Sequence, residues 1–239
     1  MRLINASTLR LHEFFDSQRP AYAILSHTWG KEEVSHQEWT QWEEGGSAQK
    51  ARIEAKSGFK KIKYAYWIAL TNGHGYIWVD TNYIGKKSSA ELFEAINSMF
   101  SWYQASSVCL AYLEDLSAMT PITNMFECRW FTRGWTLQEL LAPRDVMFFN
   151  ATWEHFGTKT SLCKKISHAT GIDAAMLRDP RKIDTACAAK KMSWVSTRQT
   201  TRAEDMAYCL LGLFDINMAL LYGEEIDAFR RLQEEIIKL

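Results

Sequence analysis

Four short apolar runs, separated by stretches of helical spacing, limit what the first two-thirds of this chain can fold into. They are residues 21–27 (Ala-Tyr-Ala-Ile-Leu-Ser-His), Tyr76–Asp80, Val108–Leu113 and Val146–Phe149. Such lengths suit buried strands rather than buried helices. Between the first two, Ile53, Phe59, Ile62, Tyr66 and Ala69 recur at helical spacing until Asn72-Gly73 supplies a stop. Ser88-Ser-Ala-Glu91 has the form of a capping box and precedes the apolar face Leu92, Ile96, Met99, Phe100 and Tyr103. Residues 135–141 give a third helical segment, ending before Pro143. Alternating strands and helices imply a parallel sheet, because a crossover helix returns the chain to the same end of the sheet. The polar residues 31–49, with Gly45-Gly46, read as a loop or insertion.

From about residue 158 the pattern becomes helix after helix. Leu162, Ile166 and Ala169 share a face closed by Gly171, and Thr201-Arg-Ala-Glu204 is a second capping-box form ahead of Met206, Leu210 and Leu213. Phe229, Leu232 and Ile236 mark a last amphipathic helix. The expected architecture is therefore α/β: a parallel sheet flanked by helices over residues 1–157, then a helical extension of the same domain over residues 158–239. A chain ending inside a helical pattern reads as one part of a larger protein.

Charge and cysteine usage narrow the function. The 28 basic and 28 acidic side chains cancel, which argues against the excess positive charge of a nucleic-acid binder. Five cysteines, odd in number and without a CxxC pair, indicate neither a disulfide framework nor a metal site. The N-terminus lacks a signal-peptide core and no apolar run reaches membrane-spanning length, so a cytoplasmic protein is expected.

Three stretches carry a more specific message. Tyr22-Ala-Ile-Leu-Ser-His-Thr-Trp-Gly30, Trp78-Val-Asp-Thr-Asn-Tyr-Ile-Gly85 and Arg129-Trp-Phe-Thr-Arg-Gly-Trp-Thr-Leu-Gln-Glu-Leu140 resemble the three motifs of fungal heterokaryon incompatibility (HET) domains. Met192–Arg198, Thr200–Met206 and Leu221–Glu224 resemble later stretches of the same family, so the resemblance covers nearly the whole chain. Tyr83 and Gly85 depart from it, standing where the second motif usually has cysteine and an aspartate or asparagine.

HET domains resemble Toll/interleukin-1 receptor (TIR) domains, which implies a TIR-like (flavodoxin-like) sheet. It also implies a cell-death effector that cleaves NAD, taken as substrate rather than as a resident cofactor. Glu139, in the spacing Trp135-x-x-x-Glu139-Leu140, matches the position of the TIR catalytic glutamate. One helical turn apart, Trp135 and Glu139 share a face. Ser26, His27, Trp29, Gly30 and Asp80 fall where ligands lie beyond the carboxyl ends of parallel strands. Trp135 is expected to stack on the nicotinamide, Gly30 to let backbone approach the phosphates, and Arg133 to contact the ligand. For at least one of Arg129 and Arg133, ion pairing to Glu114 or Asp115 is the better reading. Thr201, Arg202, Glu204 and Asp205 read as residues that cap and pin their helix. The resemblance further implies self-association, and a nucleotide-binding switch region and repeats C-terminal to the domain. A non-catalytic, homotypic death-signalling adaptor is the alternative; Tyr83 and Gly85 favour it, and the Trp135–Glu139 pair favours the enzyme.

Overall fold

A computed structural model describes residues 1–15, 18–83 and 89–239. Gly85, the Ser88 cap and the Tyr83 side chain therefore lie outside the described parts. The chain opens with an antiparallel pair, β1 (Arg2–Asn5) and β2 (Leu11–Glu13). Next comes β3 (Ala23–His27), buried at all five positions. The segment read as a loop folds instead into α1 (His36–Glu44) and α2 (Ser47–Glu54), ahead of α3 (Ser57–Thr71). A capping box explains the difference. Ser35 Oγ accepts from the Glu38 amide at 3.3 Å while Glu38 Oε2 accepts from the Ser35 amide at 3.1 Å. With few apolar residues, α1 is anchored mainly by the buried Trp39, which packs on Trp42 and Phe59.

The central part alternates as expected: β4 (Tyr76–Trp78), α4 (Asp80–Tyr83), α5 (Ser89–Ala105), β5 (Val108–Tyr112), α6 (Arg129–Thr132), α7 (Thr136–Leu141) and β6 (Val146–Phe149). A short strand, β7 (His155–Thr158), follows. Six α-helices and a 3-10 turn over Pro180–Thr185 follow: α8 (Cys163–Thr170), α9 (Ala174–Arg178), α10 (Ala188–Ser193), α11 (Asp205–Tyr208), α12 (Leu211–Phe214) and α13 (Asp227–Ile237). The box expected at Thr201–Glu204 does not form: Thr201 is exposed, and α11 starts after Glu204 with no side-chain cap. Among the described residues no helix is long and apolar enough to cross a membrane.

Among the described residues the sheet has seven strands in the order β2-β1-β4-β3-β5-β6-β7. It is mixed rather than wholly parallel. The four strands from β4 to β6 are parallel, whereas β1 joins β4 and β7 joins β6 antiparallel. The added strands are short and polar enough to give no apolar run, and they cover the edges of the parallel centre. Within that centre the chain order is second, first, third, fourth. The direction of winding therefore reverses beside β3, which opens a crevice at the carboxyl ends of β3 and β5.

Alternation along the strands builds two cores. Ala23, Leu25, Ile77 and Leu110 face α1–α3, while Ile24, Trp78, Cys109 and Phe148 face α5, α7 and the C-terminal helices. The second core is continuous through Leu210, Leu213 and Leu232, so the helical extension shares it. Docking of α12 on α5 is close: a Cβ added at Gly212 would overlap Phe100 Cβ. Gly212→Ala should accordingly lose about 1–3 kcal/mol in urea unfolding, the usual cost of overpacking. Parental stability would show that α12 does not pack there.

Candidate functional site

The crevice predicted by the strand order holds a buried acid. Glu139 projects from α7 into the end of β3 and is only 6% exposed. Ser26, the penultimate residue of β3, donates from Oγ to Glu139 Oε2 at 2.5 Å. Trp130 Nε1, from α6, donates in turn to Ser26 Oγ at 2.7 Å. Burial pushes the Glu139 carboxyl up from its ordinary 4.5 to about 7, with Asp80 raising it and Ser26, His27 and Arg133 opposing. The same surroundings raise the neighbouring Tyr103 hydroxyl and Cys109 thiol well above their usual ranges, burial being the main cause.

Contacts from the C-terminal part hold α7 at both ends. At its start, the buried Arg198 donates from Nη1 to Arg133 O at 2.8 Å and to Thr136 Oγ1 at 2.9 Å. Gly134 N donates to Gln199 O at 2.8 Å, and Gln199 N to Thr132 O at 2.6 Å. At its end, the buried Lys159 ammonium donates to Leu140 O at 3.1 Å and to Pro143 O. These bonds satisfy carbonyls that a helix C-terminus leaves open. Burial lowers the Lys159 amine to about 8.

A second cluster lines the rim. His27 donates from Nε2 to Asp80 Oδ1 at 2.9 Å, and Trp29 Nε1 donates to Asp80 Oδ2 at 2.6 Å. The Thr81 amide adds a bond to Oδ1 at 2.7 Å. Burial alone would raise the Asp80 carboxyl, but His27, Trp29 and Lys61 outweigh it and hold it below its ordinary value. With both oxygens engaged, Asp80 fixes the His27 and Trp29 rings. Glu33 lies behind His27, its Oε1 3.8 Å from Nδ1, and accepts from the Gly30 amide at 2.6 Å and from Lys61.

Together these residues wall a cleft of about 260 Å³. His27, Trp29, Asp80, Arg133, Trp135 and Glu139, all singled out in the sequence, line it. Two expected members do not. Ser26 is wholly buried beneath Glu139, and the Gly30 amide is already bonded to Glu33. Arg129 pairs with Glu114 at 3.0 Å and Asp115 at 3.9 Å, as expected for one of the two arginines. The sequence reading missed the far wall, where Thr201, Arg202, Asp205 and Tyr222 line the same cleft. Asp205 accepts from the Tyr222 hydroxyl at 3.0 Å and lies against the Trp135 indole, and burial raises its carboxyl. The available signal is the resemblance of Thr200–Met206 and Leu221–Glu224 to family stretches; the capping role expected for Thr201, Arg202, Glu204 and Asp205 does not lead to a cleft wall.

Comparison with known proteins agrees with the motifs. Residues 22–121 match the family model described as heterokaryon incompatibility protein (HET). The chain is 42% identical over 230 residues to vegetative incompatibility protein HET-E-1 of Podospora anserina. That alignment takes in 92% of this chain and 16% of the relative, so the chain spans about one-sixth of that protein's length. No solved structure matches significantly.

The raised Glu139 carboxyl makes stability depend on pH. Its folded pKa exceeds its unfolded one, so the folded state binds the extra proton and stability falls as pH rises from about 4.5 to about 7. The neutral isostere escapes this loss. Glu139→Gln should therefore be more stable than the parent at pH 8.5, by on the order of 3 kcal/mol in denaturant unfolding, and equal to it at pH 4. An equal difference at both pH values would mean that the acid is solvated.

Proposed function

As this chain belongs to the heterokaryon incompatibility (HET) family, we propose that it is a cell-death effector domain of fungal vegetative incompatibility. In this reading its cleft hydrolyses NAD to nicotinamide and ADP-ribose when copies self-associate in the cytoplasm. The observation that carries the reading is the desolvated Glu139 carboxyl at the sheet's switch point, facing a cleft and within one turn of Trp135. The second–first–third–fourth order of the parallel strands supports a TIR-like (flavodoxin-like) core, with β7 as an antiparallel edge. The much longer relative supports further regions in the full-length protein, and in this reading they include the nucleotide-binding switch and repeats that the family resemblance implies.

The chemistry suits a site with one principal carboxylate. In NAD the nicotinamide ring is cationic, so when the bond to ribose breaks it leaves neutral, with the bonding pair and without a general acid. Positive charge then develops on the ribose, an oxocarbenium-like state. Ionised Glu139 stabilises that charge, and burial makes its field stronger than in water. A water molecule adds to the cation and releases one proton. Trp130 and Ser26 orient the carboxylate, while Asp80 keeps His27 and Trp29 in place. Trp135 offers a ring for nicotinamide to stack on. The cleft falls just below the ~300–1,000 Å³ typical of small-molecule pockets, so it encloses one end of a dinucleotide and leaves the other on open surface.

Clustered protein incubated with NAD should release nicotinamide, and Glu139→Gln should lower the rate by roughly a hundredfold or more. Toxicity in cells should vanish with it while the variant stays folded. In the parent, the rate should rise with pH through about 7 as Glu139 ionises. Ser26→Ala should move that limb to higher pH, because the Ser26 hydrogen bond lowers the Glu139 pKa. Release that is unaffected by Glu139→Gln would misplace the catalyst, and toxicity without any release would favour a signalling adaptor.

A further inference from the structure

The cleft is lined by three acids, Asp80, Glu139 and Asp205, and by two arginines, Arg133 and Arg202. Among the described residues neither guanidinium has a hydrogen-bonded or ion-paired partner; only the backbone carbonyls of these arginines accept bonds. Arg202 is nevertheless placed, its guanidinium 4.5 Å from the centre of the Tyr222 ring. Tyr222 is itself fixed by its hydroxyl's bond to Asp205. Arg133 leads into α7 on a backbone pinned by Arg198, and its charge reaches both Glu139 and Asp205.

Two arginines from distant parts of the chain, lining one concavity with neither guanidinium hydrogen-bonded or ion-paired to a carboxylate among the described residues, match a ligand anion. Asp205 lies near both but gives its oxygens to Tyr222 and Trp135. A ligand with a cationic ring at one end and a diphosphate some way along it would meet acid with its ring and base with its phosphates. We propose that Arg202, together with Arg133, anchors the diphosphate of a dinucleotide substrate. The C-terminal helical part then supplies a wall of the binding site rather than a scaffold alone. This rests on the NAD reading above and extends it, since it assigns the phosphate subsite to Arg133 and the stretch Thr201–Tyr222.

ADP tests the subsite without any cleavage step. By titration calorimetry the 239-residue chain should bind ADP, more weakly as salt rises, and roughly tenfold or more tighter than adenosine, which has no phosphate. Arg202→Gln and Arg133→Gln should each weaken ADP binding roughly tenfold or more, with Arg202→Lys intermediate, because a lysine keeps the charge and loses the fork. The unliganded unfolding midpoint of Arg202→Gln should match the parent, as its side chain is exposed. In NAD cleavage, Arg202→Gln should raise KM far more than it lowers kcat. The inference is overturned if ADP binds no better than adenosine, or if Arg202→Gln binds ADP as the parent does. It is equally overturned if NAD is cleaved with an unchanged KM in that variant. ADP binding through Arg202 in a protein that never cleaves NAD would overturn the hydrolase reading alone.

Discussion

The hydrogen-bonded line from the Trp130 indole through the Ser26 hydroxyl to the Glu139 carboxyl is what the rest of the site depends on. It joins a central parallel strand, a one-turn helix and the helix bearing the acid. It also supplies a polar partner to a carboxyl that is otherwise nearly surrounded by protein. A buried acid without partners protonates or unfolds its surroundings; one with few donors is left near the balance between its two forms. That balance is where an acid serves best at neutral pH.

Holding the acid there requires rigidity on all sides. The helix carrying Glu139 is six residues long, too short to persist alone. Its stability comes from Arg198 and Gln199 at one end and Lys159 at the other, all from beyond the sheet's last parallel strand. The extension and the sheet are thus coupled through one short helix, and they share one core. The rim is held separately, with Asp80 tying the His27 and Trp29 rings to the end of β4. The two carboxylates, one buried and one partly exposed, therefore differ in kind. Asp80, with three donors, is ionised and architectural; Glu139, with less support, is poised.

Much of this arrangement was legible in the sequence because burial leaves a clear trace there. The four parallel strands are buried on both faces and so appear as apolar runs, and Trp135 and Glu139 stand one turn apart in a recognisable motif. Edge strands such as β2 and β7 bury too little to show. The α1–α2 region looked like a loop because its helix rests on one capping box and one tryptophan rather than on an apolar stripe. Gly30 was read for the freedom of its backbone, whereas its amide is tied to Glu33. Arg202 and Asp205 read as helix-pinning residues and Tyr222 carried no reading, because their meeting with Trp135 joins segments distant in sequence, a relation that neither spacing nor periodicity expresses.

A direct titration of the Glu139 side chain tests the central claim most simply. In protein labelled at the glutamate carboxyl carbons, with Glu139→Gln used to assign the resonance, the carbon-13 shift should follow a midpoint near 7, well apart from the exposed glutamates. A midpoint below 5, among those glutamates, would show a solvated carboxylate and would contradict the account of the site built on it.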